Sequence, residues 1–311
     1  MRVTEMSEVS ALHPVESGSA ESAVIKNTAR RTFLRGLGKV GTSATAALLF
    51  GDMPLATAQS LAANQDSVNQ ILTAALVAED LATTFYYNAL VGEVVQNARL
   101  AGAGGTAIAP TSTGQSVANL LYLRAALGQE VAHANLLRAA GNLTSGPGED
   151  PYQTFYFNPA VFSTFLTFIN TLEALENIFI GAYLTAVREL ASLAARSAVR
   201  GVPAGQFGAA AYSSTQTAYF AQVAASICGV ECEHRALVRV VGQIPPAANN
   251  LYFEQTAGVK SVYHGKQSAV AALAPYLTPG INGTQAYSLA TALQGLPSVV
   301  LQSSPSNPPA Q

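Results

Sequence analysis

Charge is scarce in this chain of 311 residues: Asp, Glu, Lys and Arg together make only 11%, about half the usual share. Hydrophobic residues make 49%, so the low-hydrophobicity, high-charge composition of a disordered chain is excluded. A chain of this length can bury a sizeable core. Net charge is −2, and no basic run extends beyond Arg30-Arg31. That excludes the basic footprint of a nucleic-acid binder. Cysteine occurs twice, as Cys228 and Cys232, with no CxxC pair, so no disulfide framework exists. No run of 18 uncharged apolar residues occurs, and no stable membrane span is expected.

Residues 1–58 read as an address. Ala29-Arg30-Arg31-Thr32-Phe33-Leu34-Arg35 carries the paired arginines and Phe-Leu of a twin-arginine signal. A weakly apolar stretch from Gly36 to Phe50 follows, and Ala56-Thr57-Ala58 fits a small-residue cleavage site. The expectation is export through the twin-arginine translocase to the periplasm or the exterior, with a mature start at Gln59. The remaining chain divides into 59–245, helical, and 246–311, an irregular extension with a disordered tail.

Helical periodicity marks four long segments, about 66–99, 114–140, 159–199 and 210–243. Gly102 to Gly105, Gly146-Pro147-Gly148 and Gly201-Val202-Pro203 separate them. Strand-like alternation is weak throughout, and Ser268 to Leu277 suits a short helix.

The chain repeats itself. Glu79 and Glu176 are each followed by a tyrosine seven residues on, Tyr86 and Tyr183. Glu130 and Glu231 are each followed by His at +3, Arg at +8 and Gly at +11: His133, Arg138, Gly141 and His234, Arg239, Gly242. The single glutamates lie 97 residues apart and the Glu-x-x-His pairs 101 apart, so one helix pair occurs twice.

Four glutamates thus sit among apolar residues, where an isolated carboxylate is costly unless paired or metal-bound. Helical spacing puts Glu130 with His133, and Glu231 with His234, on one face. Their heights agree. Glu79 lies roughly 30 Å before its helix ends, and Glu130 roughly 24 Å after the next begins. For Glu176 and Glu231 the distances are roughly 35 and 32 Å. The 17-residue link 142–158 can reach roughly 56 Å when extended, enough to run the length of a bundle. All four groups can therefore meet at mid-height. Glu173, one turn before Glu176, is a rival; the tyrosine spacing favours Glu176.

One glutamate from each of two helices and Glu-x-x-His from each of the other two is the ligand pattern of ferritin-like carboxylate proteins. On these residues the segment 66–243 resembles a ferritin-like domain. It is most similar to the desiccation-related branch, through Glu176 to Tyr183 and Gly229 to Pro245. The resemblance implies an all-α fold: a ferritin-like four-helix bundle with a long crossover between its second and third helices. By position it implies Glu79, Glu130, His133, Glu176, Glu231 and His234 as ligands of two metal ions. Carboxylate and imidazole suit iron or manganese. Tyr86 and Tyr183 are placed to hydrogen-bond ligand carboxylates or relay an electron; as core aromatics they need no such role.

The function implied is that of an exported dimetal-carboxylate oxidoreductase meeting O2, peroxide or a small-molecule substrate, in oxidative or desiccation stress. The competing readings are a non-catalytic metal-binding protein and a metal-free structural bundle. Homo-oligomer formation stays open. The long extension and few surface carboxylates speak against a mineral storage cage. Cys228, one turn before Glu231, reads as a small buried hydrophobe. Arg138 and Arg239 are placed to complement helix dipoles. His264 reads as a surface residue, and Glu93 lies about 21 Å along the helix from Glu79, too far to share its metals.

Overall fold

The computed structural model describes residues 66–92, 95, 97, 99–100, 115–141, 143–200, 212–244, 256–280 and 282–296. The expected export segment and Glu93 lie outside them. Four long helices dominate: α1 Val68–Tyr87, α2 Gln115–Gly141, α4 Phe165–Arg200 and α5 Ser214–Gly242. A one-turn helix, α3 Ala160–Ser163, precedes α4. Two starts use the same device. Ser67 Oγ accepts from the Gln70 N–H while Gln70 Oε1 accepts from the Ser67 N–H, and Ser213 and Gln216 do likewise for α5. Each capping box satisfies two N–H groups that the first turn leaves unpaired.

The helix directions follow from contacts at the two ends. Near the start of α1, Tyr212 Oη donates to the Gly141 carbonyl (2.6 Å) and to Asn69 Oδ1 (2.9 Å). So α2 ends where α1 and α5 begin. At the other end Phe85 stacks on Phe168, centroids 5.7 Å apart, and Gly242 packs against Ile169. There α4 begins where α1 and α5 end. The α2–α4 link therefore runs the length of the bundle, as its 17 expected residues allow.

Boundaries differ from the expected ones where backbone chemistry intervenes. The first helix ends α-helical geometry at Tyr87 and passes into a π turn, Asn88–Gly92. The third breaks at Thr164, which is extended, so α3 and α4 are separate. The crossover and the C-terminal extension are also more ordered than alternation suggested. β1 Thr154–Phe157 pairs antiparallel with β2 Gln285–Ser288, Thr154 opposite Ser288 and Phe157 opposite Gln285. α6 Ala269–Leu277, capped by Ser268, and α7 Leu289–Gln294 complete the extension. The described part of the extension thus carries two short helices and one strand. Leu273, Leu277, Tyr287 and Leu289 join the core formed by Phe85, Phe157 and Phe168. Gly283 sits at φ 143°, where a Cβ would collide with the Phe157 backbone, so β1 and its partner close tightly only around glycine.

The apolar interior is two clusters rather than one. One contains Leu81, Phe85, Leu123, Leu127, Leu172 and Val238. The other contains Ile71, Leu76, Leu137, Tyr183, Leu190 and Ile227. Glu130 and Glu231 lie in sequence between residues of the two clusters, while Glu79 and Glu176 sit within the first cluster, three or four residues from where their helices pass into the second, so a polar layer crosses the bundle near the junction. α4 is the one described helix long and apolar enough to cross a membrane by length and composition (Phe165–Arg196). In this fold its apolar residues, Leu172 to Leu190 among them, pack into both clusters instead.

Candidate metal centre

Each helix contributes its glutamate from a face that is otherwise apolar. Leu76 and Leu81 flank Glu79, Leu127 precedes Glu130, Leu172 precedes Glu176 and Ile227 precedes Glu231, and all are buried. Hydrophobic burial fixes each face, and the glutamate follows it into the core. Two sets of side chains result. Glu79, Glu130, His133 and Glu231 offer ligand atoms all within 4.8 Å of one another, and so do Glu130, Glu176, Glu231 and His234. Glu130 and Glu231 belong to both sets, which places them between two ion positions. All six expected residues converge. Glu173 does not: it pairs with Arg239 at 3.1 Å on the partly exposed side of the bundle.

The tyrosines cross between repeats. Tyr86 donates to Glu176 Oε1 (2.7 Å), and Tyr183 donates to Glu79 Oε1. Neither bonds the glutamate of its own helix. α1 and α4 run antiparallel, so the residue seven after one glutamate meets the glutamate of the other. Both hydroxyls are buried, and burial, reinforced by the carboxylates they face, raises both phenol pKa values. They therefore stay protonated and remain donors.

His133 Nδ1 lies 3.2 Å from Glu79 Oε2, 3.4 Å from Glu231 Oε1 and 3.6 Å from Glu130 Oε2. His234 Nδ1 lies 3.0 Å from Glu130 Oε1 and 3.4 Å from Glu231 Oε2. Close approach is not satisfaction. Glu130 Oε1 and Oε2, Glu231 Oε1 and Oε2, Glu176 Oε2 and His234 Nδ1 are all buried without a partner in hydrogen-bonding geometry. Each such atom costs about 1–3 kcal/mol.

Burial and mutual repulsion divide the protons. Burial raises Glu79 and Glu176 well above the ordinary carboxylate range. Burial also opposes charge on Glu130 and Glu231, but the two imidazoles outweigh it and hold both low. The histidines, lowered by burial, are raised further by the carboxylates around them. Without metal these shifts favour charge on Glu130, Glu231 and the two imidazoles and disfavour it on Glu79 and Glu176. A set of oxygen and imidazole donors, buried and held together by protons, fits divalent ions that would replace those protons.

Several residues around the centre escaped the sequence reading. Arg138 lies in the last turn of α2, as expected, but it does more than face the helix end. It is buried, donating to Asp80 Oδ1 (2.6 Å) and through Nε to Asp150 Oδ2 (2.8 Å). It ties the crossover to the residue beside Glu79. With one guanidinium facing two carboxylates, burial, resisted by Arg138, pushes Asp80 up to about 8. Its repeat mate Arg239 pairs with Glu173 instead. Gln129 also went unnoticed: its Oε1 lies 2.9 Å from His234 Nε2. His264 is half exposed, as expected, yet ion-paired to buried Asp66 at 2.6 Å. Cys228 is buried, as expected, and its Sγ donates toward the Ile180 carbonyl at 3.9 Å.

Comparison with known families agrees with the fold. A profile described as the ferritin-like domain matches residues 67–214. That span holds Glu79, Glu130, His133 and Glu176; Glu231 and His234 lie beyond it, on the helix that completes the bundle. No curated protein and no solved structure matches the chain. The chain contains a ferritin-like domain with two Glu/His clusters positioned to chelate a pair of metal ions.

Proposed function

We propose that this is an exported dimetal-carboxylate protein that binds two iron or manganese ions and reacts with O2 or peroxide, protecting against oxidative or desiccation stress. The observation that carries the reading is the pair of buried ligand sets, each with its ligand atoms within 4.8 Å of one another and sharing Glu130 and Glu231, in which five carboxylate oxygens and one imidazole nitrogen lack a partner in hydrogen-bonding geometry. Protons alone leave them unsatisfied; two divalent cations would complement four carboxylates without net charge.

A pair of redox-active ions, when bound, supplies two electrons together to a small oxidant. The protein's part is to hold and exclude. Glu130 and Glu231 would span both ions. Tyr183 and Tyr86 fix one oxygen of Glu79 and of Glu176, leaving the other oxygen of each for an ion. Both tyrosines are redox-capable and touch the carboxylate layer directly through their hydroxyls. Of the six ligand side chains His133 is the most exposed, at 12%. Access for a diatomic oxidant or peroxide would run along it, and a bulky substrate would be excluded.

The same burial supports a second reading, a protein that holds metal without turnover. Metal analysis of protein matured in its own host, followed by O2 and peroxide consumption assays, separates the two. Two ions per chain with no consumption under any reductant would leave holding alone. Export rests on Arg30-Arg31, Phe33-Leu34 and Ala56-Thr57-Ala58. Replacing both arginines by Lys should retain an uncleaved precursor; unchanged export would remove that part of the proposal.

A further inference from the structure

The two halves of the centre are repeats, yet their surroundings differ at one position. His234 has its second ring nitrogen held by Gln129, the residue immediately before Glu130. The position 101 residues on, immediately before Glu231, is Val230. Valine has no side-chain donor or acceptor, so it cannot hold His133 in return. Among the described residues, His133 Nε2 has no hydrogen-bond partner. Exposure follows the same division: the His133 side chain is 12% exposed and the His234 side chain 3%. The Tyr86 ring also stands edge-on to the His234 ring, centroids 6.2 Å apart.

A ligating imidazole whose distal N–H is held by an acceptor is fixed in tautomer and orientation, and it is the more basic ligand. With Gln129 Oε1 at Nε2, the proton sits on Nε2 and Nδ1 faces the carboxylate layer. His133 is held at Nδ1 by Glu79, but among the described residues no acceptor fixes its distal Nε2.

We propose that the two metal positions are unequal: Gln129 makes the Glu176–His234 position the tight one, filled first and emptied last. The Glu79–His133 position is the exchangeable one, open to solvent along His133. Gln129 is a positioning residue that acts through His234. The inference rests on the dimetal reading of this centre.

The test is anaerobic titration of the metal-free full chain with Mn(II), followed by calorimetry. It is paired with anomalous diffraction from crystals loaded with one ion per chain. The first ion should lie beside His234. Gln129→Leu should weaken the tight step by about 10–100-fold and leave the weak step alone. Gln129→Glu keeps an acceptor and should retain the tight step, which a packing role for Gln129 would not predict. Val230→Gln supplies the missing partner and should tighten the weak step, so the idea stays testable if Gln129→Leu fails to fold. A first ion beside His133, or equal weakening of both steps by Gln129→Leu, overturns the inequality alone. A wild-type chain that takes up no Mn(II) and no Fe(II) overturns the metal reading and this inference with it.

Discussion

Loading the metal-free chain with two divalent ions should drive four protons into solution. The count comes from the centre itself. Without metal, His133 and His234 are held protonated by the carboxylates around them, despite burial. Burial keeps Glu79 and Glu176 protonated at acidic and mildly acidic pH. Glu130 and Glu231 are ionised. Two positive imidazoliums and two negative carboxylates sum to zero. Four carboxylates, two neutral imidazoles and two divalent ions also sum to zero, so the exchange is two ions for two plus two protons. While all four groups hold protons, the combined binding constant should rise up to about 10⁴-fold per pH unit, or about 5.5 kcal/mol. The slope falls as Glu79 and Glu176 reach their raised pKa values. Titration calorimetry at about pH 6, in two buffers of different ionisation enthalpy, counts the protons directly. Affinity that stays flat with pH, or fewer than two protons released, would refute the protonation pattern.

The same groups set the stability of the metal-free chain. Glu79 and Glu176 are raised in the fold, so their contribution is complete below about pH 4.5 and lost as pH climbs through the raised values. The raised histidines lose theirs above about pH 6.5, and Asp80, pushed up to about 8 by burial, loses its own as pH approaches that value. Glu130 and Glu231 are held low and act oppositely, losing their contribution as pH falls below about 4.5. Metal-free Tm should therefore decline from about pH 5 to 9, with metal stabilising the chain more at the higher pH. A metal-free Tm that rises over that range contradicts the scheme.

Three substitutions test individual contacts. Tyr86→Phe removes only the hydroxyl donated to Glu176; it should cost about 0.5–1.5 kcal/mol, keep metal content and slow any oxidant consumption, whereas unchanged turnover would assign Tyr86 to packing alone. Arg138→Met leaves Asp80 and Asp150 buried without their guanidinium and should lower stability by about 3–5 kcal/mol in urea unfolding; a loss under 1 kcal/mol would show the network to be dispensable. Gly181→Ala drives a Cβ into the Thr256 carbonyl and should detach the 256–268 segment, seen as faster amide exchange at Val259 and Val262; unchanged protection there would argue that the segment can shift.

Much of the centre could be read from spacing because the repeat is local. Helical offsets of three and seven, and helix lengths that put four glutamates level, are properties of single helices and their hairpins. The α1–α4 tyrosine exchange joins helices of different hairpins, and level glutamates alone do not predict it, since seven residues on lies about 10 Å along the axis. What stayed hidden is non-local. β1 pairs with a strand more than 120 residues away, and four residues such as Thr-Phe-Tyr-Phe carry too little alternation to announce a strand. Asp150 lies in the crossover, so nothing in sequence links it to Arg138. Gln129 is visible only when the two Glu-x-x-His helices are compared one residue upstream, where glutamine faces valine.

Anomalous diffraction from crystals of the metal-loaded mature chain, collected at the iron and manganese edges, tests the central claim most directly. Two peaks should lie in the carboxylate layer, one beside His133 and one beside His234, and Glu176→Ala should remove the second. A fully loaded crystal with no peak in that layer, or with peaks only elsewhere, such as beside Asp66 and His264, would contradict the assignment of these six residues as ligands of a metal pair.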